Sequence, residues 1–340
     1  MVAKAPEWGE QTIGEIEMIA EYFAPLAANM PGSLGLKDDA AYLTDYGNRL
    51  IVTMDALVAG VHFFPDDAPE DIAWKALAVN VSDLAAKGAR PLSYTMALAL
   101  PGKPKRDWIS DFALGLEKAQ NTFRIGLLGG DTTATPGPLT IVITAFGRAS
   151  DERPMICRDG ARPGHGIYVS GTIGDAALGL TLRRGDADAL FWTLDAAGRE
   201  QLLKCYLRPT PRIALAEVVL NHAAASMDVS DGLIIDLTRL CYASGCGARI
   251  EAASIPMSTP ALAVIASNAD MFISAITGGD DYEILCSVEP DNEADFKHYA
   301  AQAGVRLTKI GVITAEIGVE VIGRDDAHMI IEKRGYEHFG

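Results

Sequence analysis

Short β-branched runs alternate with helical patterns along this chain, and they do so twice, once on each side of a polar stretch at Arg148–Arg153. Such alternation confines the chain to mixed architectures, because each strand needs a helix or another strand over its apolar side. In the first half, Leu50–Met54 reads as a strand ending at Asp55. Asp71–Ala86 reads as a helix with Trp74, Leu77, Val81 and Leu84 on one face, and Tyr94–Leu100 as a strand closed by Pro101-Gly102. A helix over Trp108–Phe123 follows, then a short strand over Ile125–Leu128 and a β-branched strand over Leu139–Gly147. In the second half, strands are predicted at Gly166–Ser170, Ala223–Val229, Glu283–Val288 and Leu307–Ile313. Helices are predicted at Arg212–His222, Leu233–Ala243 and Ala294–Ala303. A chain of 340 residues is long enough for two cores, so the expectation is an α+β protein with domains 1–150 and 151–340.

Charge and cysteine usage narrow the function. The formal net charge is -16, from 45 acids against 29 bases, and no Lys/Arg run occurs, which argues against a general nucleic-acid binder. No segment approaches the roughly 18 consecutive apolar residues of a membrane span, and Met1–Glu10 lacks an apolar signal core. Five cysteines with no CxxC pair suit small core residues and not a disulfide or zinc framework. A cytoplasmic protein without membrane or nucleic-acid partners is expected.

Acidic residues carry the chemical signal. Lys37-Asp38-Asp39, Met54-Asp55, Ser82-Asp83, Gly129-Gly130-Asp131, Asp228-Val-Ser-Asp231-Gly232 and Gly278-Gly279-Asp280-Asp281 each set an aspartate at an expected strand end or helix start. Any one alone reads most simply as a cap or turn residue; the repetition of the design is harder to explain that way. Carboxylates without neighbouring Cys or His suit hard cations, and Mg2+ in particular is shared between carboxylates and substrate phosphates. Ser230 or Asp231 is expected to cap the helix that follows, with Gly245 stopping it. An acid pair there serves either as a cap or, with a metal, as a phosphate site. Asn80 and Asp83, three apart on an apolar helix, need partners if buried: a metal, a ligand or a neighbouring loop.

The common nucleotide signatures are absent: there is no GxxxxGK[ST], no HRD or DFG and no GxSxG. Gly164-His165-Gly166 lacks the third glycine of a dinucleotide fingerprint.

Taken in order, the segments resemble the thiamine-monophosphate kinase family of the aminoimidazole ribonucleotide synthetase-like superfamily. The resemblance rests on Gly35-Leu-Lys-Asp-Asp-Ala40, Asp55-Ala-Leu-Val-Ala-Gly-Val-His62-Phe63, Ala78-Val-Asn-Val-Ser-Asp-Leu-Ala-Ala86 and Gly129-Gly-Asp-Thr132. It continues through Arg158-Asp-Gly-Ala161, Arg208-Pro-Thr-Pro-Arg212, Asp228-Val-Ser-Asp-Gly-Leu233, Gly278-Gly-Asp-Asp-Tyr-Glu283 and Gly335-Tyr-Glu-His-Phe339. It implies a two-domain α+β fold whose amino-terminal domains pair strands across a homodimer. It also implies transfer of the γ-phosphate of ATP to thiamine phosphate with several Mg2+ ions. By position, Asp39, Thr53, Met54 (through its carbonyl), Asp55, Asp83, Asp131, Asp228 and Asp231 are the implied metal set, with Asp131 and Asp228 central to catalysis. Gly130, Asp131, Arg158 and Ser230 are implied at ATP, and His62, Asp280 and Tyr336 at thiamine phosphate. Two departures stand out: Asp280 occupies a position where the family usually has Glu, and Lys37 one where it usually has Gly.

Overall fold

The computed structural model describes residues 34–35, 37–43, 50–102, 104–150, 153, 155–323, 327–332 and 334–337. Helices over Pro69–Ala86 (α1), Arg106–Phe123 (α2), Asp175–Arg184 (α3), Ala196–Leu207 (α4), Ala216–His222 (α5), Leu233–Ser244 (α6), Thr259–Ser267 (α7), Met271–Thr277 (α8) and Glu293–Gln302 (α9) pack on two sheets. The first sheet holds β1 (Ala41–Leu43), β2 (Leu50–Val58), β3 (Arg90–Leu100), β4 (Gly126–Ala134) and β5 (Thr140–Arg148), in the order β1-β2-β5-β3-β4. Only β3 and β4 run parallel. The second holds β6 (Gly166–Ser170), β7 (Ala225–Val229), β8 (Gly247–Glu251), β9 (Glu283–Val288), β10 (Leu307–Thr314) and β11 (Gly318–Ile322), in the order β11-β8-β10-β6-β9-β7.

Burial along the strands explains their sequence patterns. Thr140–Arg148 alternates buried and half-buried positions, as expected of a strand with helices on one side only. Ile51, Leu57, Ile141 and Ile143 point into the core that α1 and α2 close with Leu77, Leu84, Phe112 and Leu116. In the second sheet, β6, β7 and β9 are buried at every position, so their residues show no alternation of buried and exposed sides. One core on this sheet gathers Val169, Met227 and Leu285 with Leu237 and Leu240 of α6. Another gathers Tyr168, Ile284 and Phe296 with Val219 of α5 and Ala85 and Ala86 from the end of α1.

Helix α1 is therefore the seam between the two sheets. Pro69 at its first turn, with Glu70 and Asp71 beside it, suits the positive end of a helix. Its C-terminus gives way to Gly88, at φ 75, where a Cβ would lie 2.8 Å from that of Leu220.

Several elements run further than the sequence suggests. Strand β2 continues to Val58, so Asp55 lies inside it and not at its end. Strand β4 extends through Gly129-Gly130-Asp131 and is exposed throughout. Asp228 lies inside β7, which starts two residues later than expected and ends at Val229 as expected. Helix α6 begins after Gly232 with no side-chain cap from Ser230 or Asp231. Asp236 from the first turn instead ties down the loop that enters the helix, its Oδ2 accepting from the amides of Ser230 and Asp231 at 3.0 Å and Gly232 at 3.2 Å. Gly245, at φ 65, ends the helix as expected. The final Gly-Tyr-Glu-His-Phe signature lies partly outside the described residues, which stop at Glu337.

Gly115 of α2 lies where α1 and α2 cross, and a Cβ there would lie 2.5 Å from the Glu70 carbonyl oxygen. Alanine gains about 1 kcal/mol of helix propensity, but overpacking typically costs about 1–3 kcal/mol. Gly115→Ala should therefore lower the urea midpoint of unfolding, against the propensity trend. A higher midpoint would show that the crossing yields freely.

Candidate active site

Asp39, Asp83 and Asp228 each offer a carboxylate oxygen, and these oxygens lie within 4.8 Å of one another at the seam of the two sheets. They come from a loop before β1, from α1 and from β7. Asp83 Oδ2 accepts from the Thr53 hydroxyl at 2.5 Å, and Asp228 Oδ2 from the Ser82 hydroxyl at 2.6 Å. Asp55 bonds Asp83 and feels the charge of Asp231. The Tyr336 amide donates to the Asp231 carbonyl at 3.0 Å, and the Asp280 amide to the Ser230 carbonyl at 2.7 Å. Thr53, Asp55, Asp231, Ser230, Asp280 and Tyr336 thus surround the three clustered acids.

Internal cations neutralise part of this charge. Lys87, with no exposed surface, lies 2.6 Å from Asp38 Oδ1 and 3.0 Å from Asp39 Oδ2, and donates to the Ser226 carbonyl at 2.6 Å. Asp39 also pairs with the Arg158 guanidinium, whose amide donates to Asp38 Oδ2 at 2.8 Å. Even so, Asp39 Oδ2 makes no well-aligned hydrogen bond; its contact with Lys87 is one of charge alone. Arg239 pairs with Asp231, and with Asp236 at 2.9 Å. Lys75 pairs with Asp280 at 2.9 Å and donates to the His62 carbonyl at 3.1 Å, which ties two expected substrate residues together. None of Lys75, Lys87, Asp236 and Arg239 was singled out from sequence. A polar residue inside an apolar helix, the signal that flags Asn80 and Asp83, is present at Lys75 as well.

Asp55, Asp83 and Asp228 receive no direct ion pair among the described residues. Burial pushes Asp55 up to about 6, reinforced by Asp231, and Asp228 up to about 7, where Ser82 opposes it and Asp236 adds to it. Asp83 is raised well above the carboxylate range by burial, then by Asp228 and Asp55. Burial and neighbouring Asp231 also push Asp236 up to about 6. A divalent cation fits this donor set: hard oxygens, an ill-bonded Asp39 Oδ2 and excess negative charge.

The other predicted residues lie further out. Met54 is 64% exposed. Gly130 and Asp131 lie on edge strand β4, where Gly130 pairs with Met96 so closely that a Cβ would lie 1.8 Å from the Met96 carbonyl oxygen. With β5 and β3 between them, Asp131 and Asp55 are separated by roughly 14 Å at strand spacing. Within one chain Asp131 is therefore not part of the cluster. Lys37 is exposed.

Residues 37–149 match the family "AIR synthase related protein, N-terminal domain", and residues 162–324 match "AIR synthase related protein, C-terminal domain". The thiamine-monophosphate kinase of Caulobacter vibrioides is 41% identical over 317 residues, covering 92% of this chain and 88% of the relative. That of Escherichia coli K12 is 39% identical over 331 residues, covering 96% and 98%. The structure of AaThiL complexed with AMPPCP and TMP superposes with a TM-score of 0.83 at 28% identity, covering 98% of this chain and 100% of that one. The thiamine-monophosphate kinase structure from Stenotrophomonas maltophilia K279a gives 0.74 at 38% identity, covering 88% and 96%.

A carboxylate whose folded pKa is raised favours folding in its protonated form. That stability is present below the unfolded value near 3.8 and is lost as pH rises through about 6 for Asp55 and about 7 for Asp228. Without divalent metal, the thermal midpoint should fall across this window. Added Mg2+ should restore it, more at a pH of about 8 than of about 5, with proton release near neutrality. Scanning fluorimetry with a Mg2+ titration at both pH values measures this; equal shifts at both would contradict it.

Proposed function

The chain belongs to the AIR synthase related family and, within it, to the thiamine-monophosphate kinases, and we propose that it makes thiamine diphosphate by direct in-line transfer of the γ-phosphoryl of ATP. The observation that carries this reading is the convergence of Asp39, Asp83 and Asp228, which leaves a pocket of negative charge at the seam of the two sheets. Asp39, Asp55, Asp83 and Asp228, with Thr53, the Met54 carbonyl and Asp231 beside them, would hold Mg2+, which supplies charge neutralisation between two phosphate-bearing substrates.

The acceptor is a phosphate monoester with a second pKa of about 6, so it is already anionic near neutrality. A strong general base is therefore unnecessary. What the protein must do is hold two anions in line and keep water out. Arg158, Gly130 and Ser230 are the proposed contacts to ATP. Ser230 lies where the amides of residues 230–232 gather on Asp236. His62, Asp280 and Tyr336 are the proposed contacts to thiamine phosphate.

The proposed domains are 1–150 and 151–340, the first bearing the exposed edge strand β4 and the second completing the cleft. An edge exposed at every residue, with Leu128 at 70%, suits pairing with a second copy of the chain. Such a homodimer is the proposed setting in which Asp131 serves a site. The proposed location is the cytoplasm; no helix among the described residues is long and apolar enough to cross a membrane.

Asp228→Asn and Asp83→Asn should each lower ATP-dependent formation of thiamine diphosphate by at least about 100-fold, a magnitude typical of losing one electrostatic stabiliser. Both should also lose the Mg2+-dependent rise in thermal midpoint. Unchanged turnover with unchanged Mg2+ dependence would rule out the carboxylate cluster as the site.

A further inference from the structure

Lys75 lies in the middle of α1 with 2% of its surface exposed. Burying an ammonium is costly unless charge and hydrogen bonds compensate, and here three separate segments do so. Its Nζ is 2.9 Å from Asp280 Oδ2, donates to the His62 carbonyl at 3.1 Å, and stands 4.0 Å above the ring of Tyr206 in α4. Tyr206 is itself 3% exposed, so the contact is desolvated, where cation–π attraction is strongest.

The Asp280 carboxylate is held from its other side too. Tyr282 donates its hydroxyl to Asp280 Oδ1 at 3.2 Å. The backbone beneath is tight: Asp280 and Tyr282 adopt φ of 72 and 50, and their amides bond the Ser230 and Val229 carbonyls at 2.7 and 2.8 Å. Left-handed conformations at two residues so close together are tolerated only when the surroundings impose them. The loop therefore presents one carboxylate in one orientation, and Lys75 joins that carboxylate to the turn bearing His62.

We propose that Lys75 is a positioning residue for the phosphate acceptor: anchored on the His62 carbonyl and the Tyr206 ring, it fixes the Asp280 carboxylate, and it does not serve ATP. The proposal rests on the kinase reading above and deepens it. Asp280 carries the charge that faces the acceptor, a molecule with a cationic thiazolium ring. Lys75 decides where that charge sits, and each carboxylate oxygen keeps a lone pair for the ligand.

The test is steady-state kinetics on purified Lys75→Met, Asp280→Asn and the double variant, with thiamine phosphate and ATP varied separately. Wild-type formation of thiamine diphosphate is the first control; its absence would refute the kinase reading and not this proposal. With wild type active, Lys75→Met should raise KM for thiamine phosphate about tenfold or more, the equivalent of about 1.4 kcal/mol. KM for ATP and the Mg2+ requirement should stay within about twofold, inside ordinary variation for a distant site. Because Lys75 acts through Asp280, the double variant should show the same acceptor KM as Asp280→Asn. An equal loss toward both substrates, no change in acceptor KM, or additive losses would each overturn the proposal. Should Lys75→Met fail to fold, the double variant removes both charges together, and its comparison with Asp280→Asn still decides: a much higher acceptor KM in the double variant would refute action through Asp280.

Discussion

Lys87 is buried without residual exposure at the end of the seam helix, and its ammonium is shared by Asp38, Asp39 and the Ser226 carbonyl. The ammonium donates to the Ser226 carbonyl and stands in ionic contact with Asp38 and Asp39, so the buried charge is compensated by two carboxylates and a carbonyl. The consequence is structural. Asp38 and Asp39 precede the first sheet, Lys87 ends α1, and Ser226 belongs to β7 of the second sheet. A buried charge that loses one partner is strongly destabilising, so these segments must keep their places together. The position of the acid cluster follows from this, because Asp39 is itself a partner of Lys87 and Asp228 lies two residues along β7 from another, Ser226.

The distribution of cations across the seam sorts the acids. Lys87 and Arg158 attend Asp38 and Asp39, Arg239 attends Asp231 and Asp236, and Lys75 attends Asp280. Asp55, Asp83 and Asp228 have hydroxyls or each other for neighbours, and burial first, then nearby carboxylates, raises their pKa values. Repulsion among unpaired buried carboxylates opposes folding at neutral pH, and a protein keeps such an arrangement where a cation repays it on binding. The fixed cations hold the frame while the unpaired acids stay available. This division explains how a chain of net charge -16 can concentrate acids in its interior without unfolding.

The fold was legible where periodicity was clean. The strand expected at Leu139–Gly147 is Thr140–Arg148, because its alternation is regular. The helix expected at Asp71–Ala86 starts two residues earlier, at Pro69. Helix α4 was missed because its buried positions, Gly198, Leu202 and Tyr206, form a narrow stripe with a glycine in it. Strands β8 and β11 are five residues each, begin with glycine and carry charged positions. Within the site, the carboxylates could be read by type and spacing, but their partners could not. Lys75 and Asp280 are 205 positions apart, and Ser82 and Asp228 are 146 apart. Local sequence carries no trace of such pairings; only the packing of α1 between the two sheets creates them.

The aspartate at position 280 shows how backbone and site chemistry interact. The resemblance to the kinase family implies a glutamate there, whose extra methylene would reach further. At φ 72, however, Asp enters the left-handed region several-fold more readily than most residues. Gly279 just before it is equally constrained: a Cβ there would lie 2.2 Å from the Ser230 carbonyl oxygen. The loop is thus pressed against the Ser230–Asp231 segment, and the residue at position 280 must take the left-handed backbone that this packing imposes. The lost reach is offset at the other end of the contact, where Lys75 and Tyr282 fix both carboxylate oxygens. An acid held this firmly loses little side-chain entropy when a ligand arrives. A preorganised aspartate can therefore match a longer but looser glutamate, provided that the buried lysine stays beneath it.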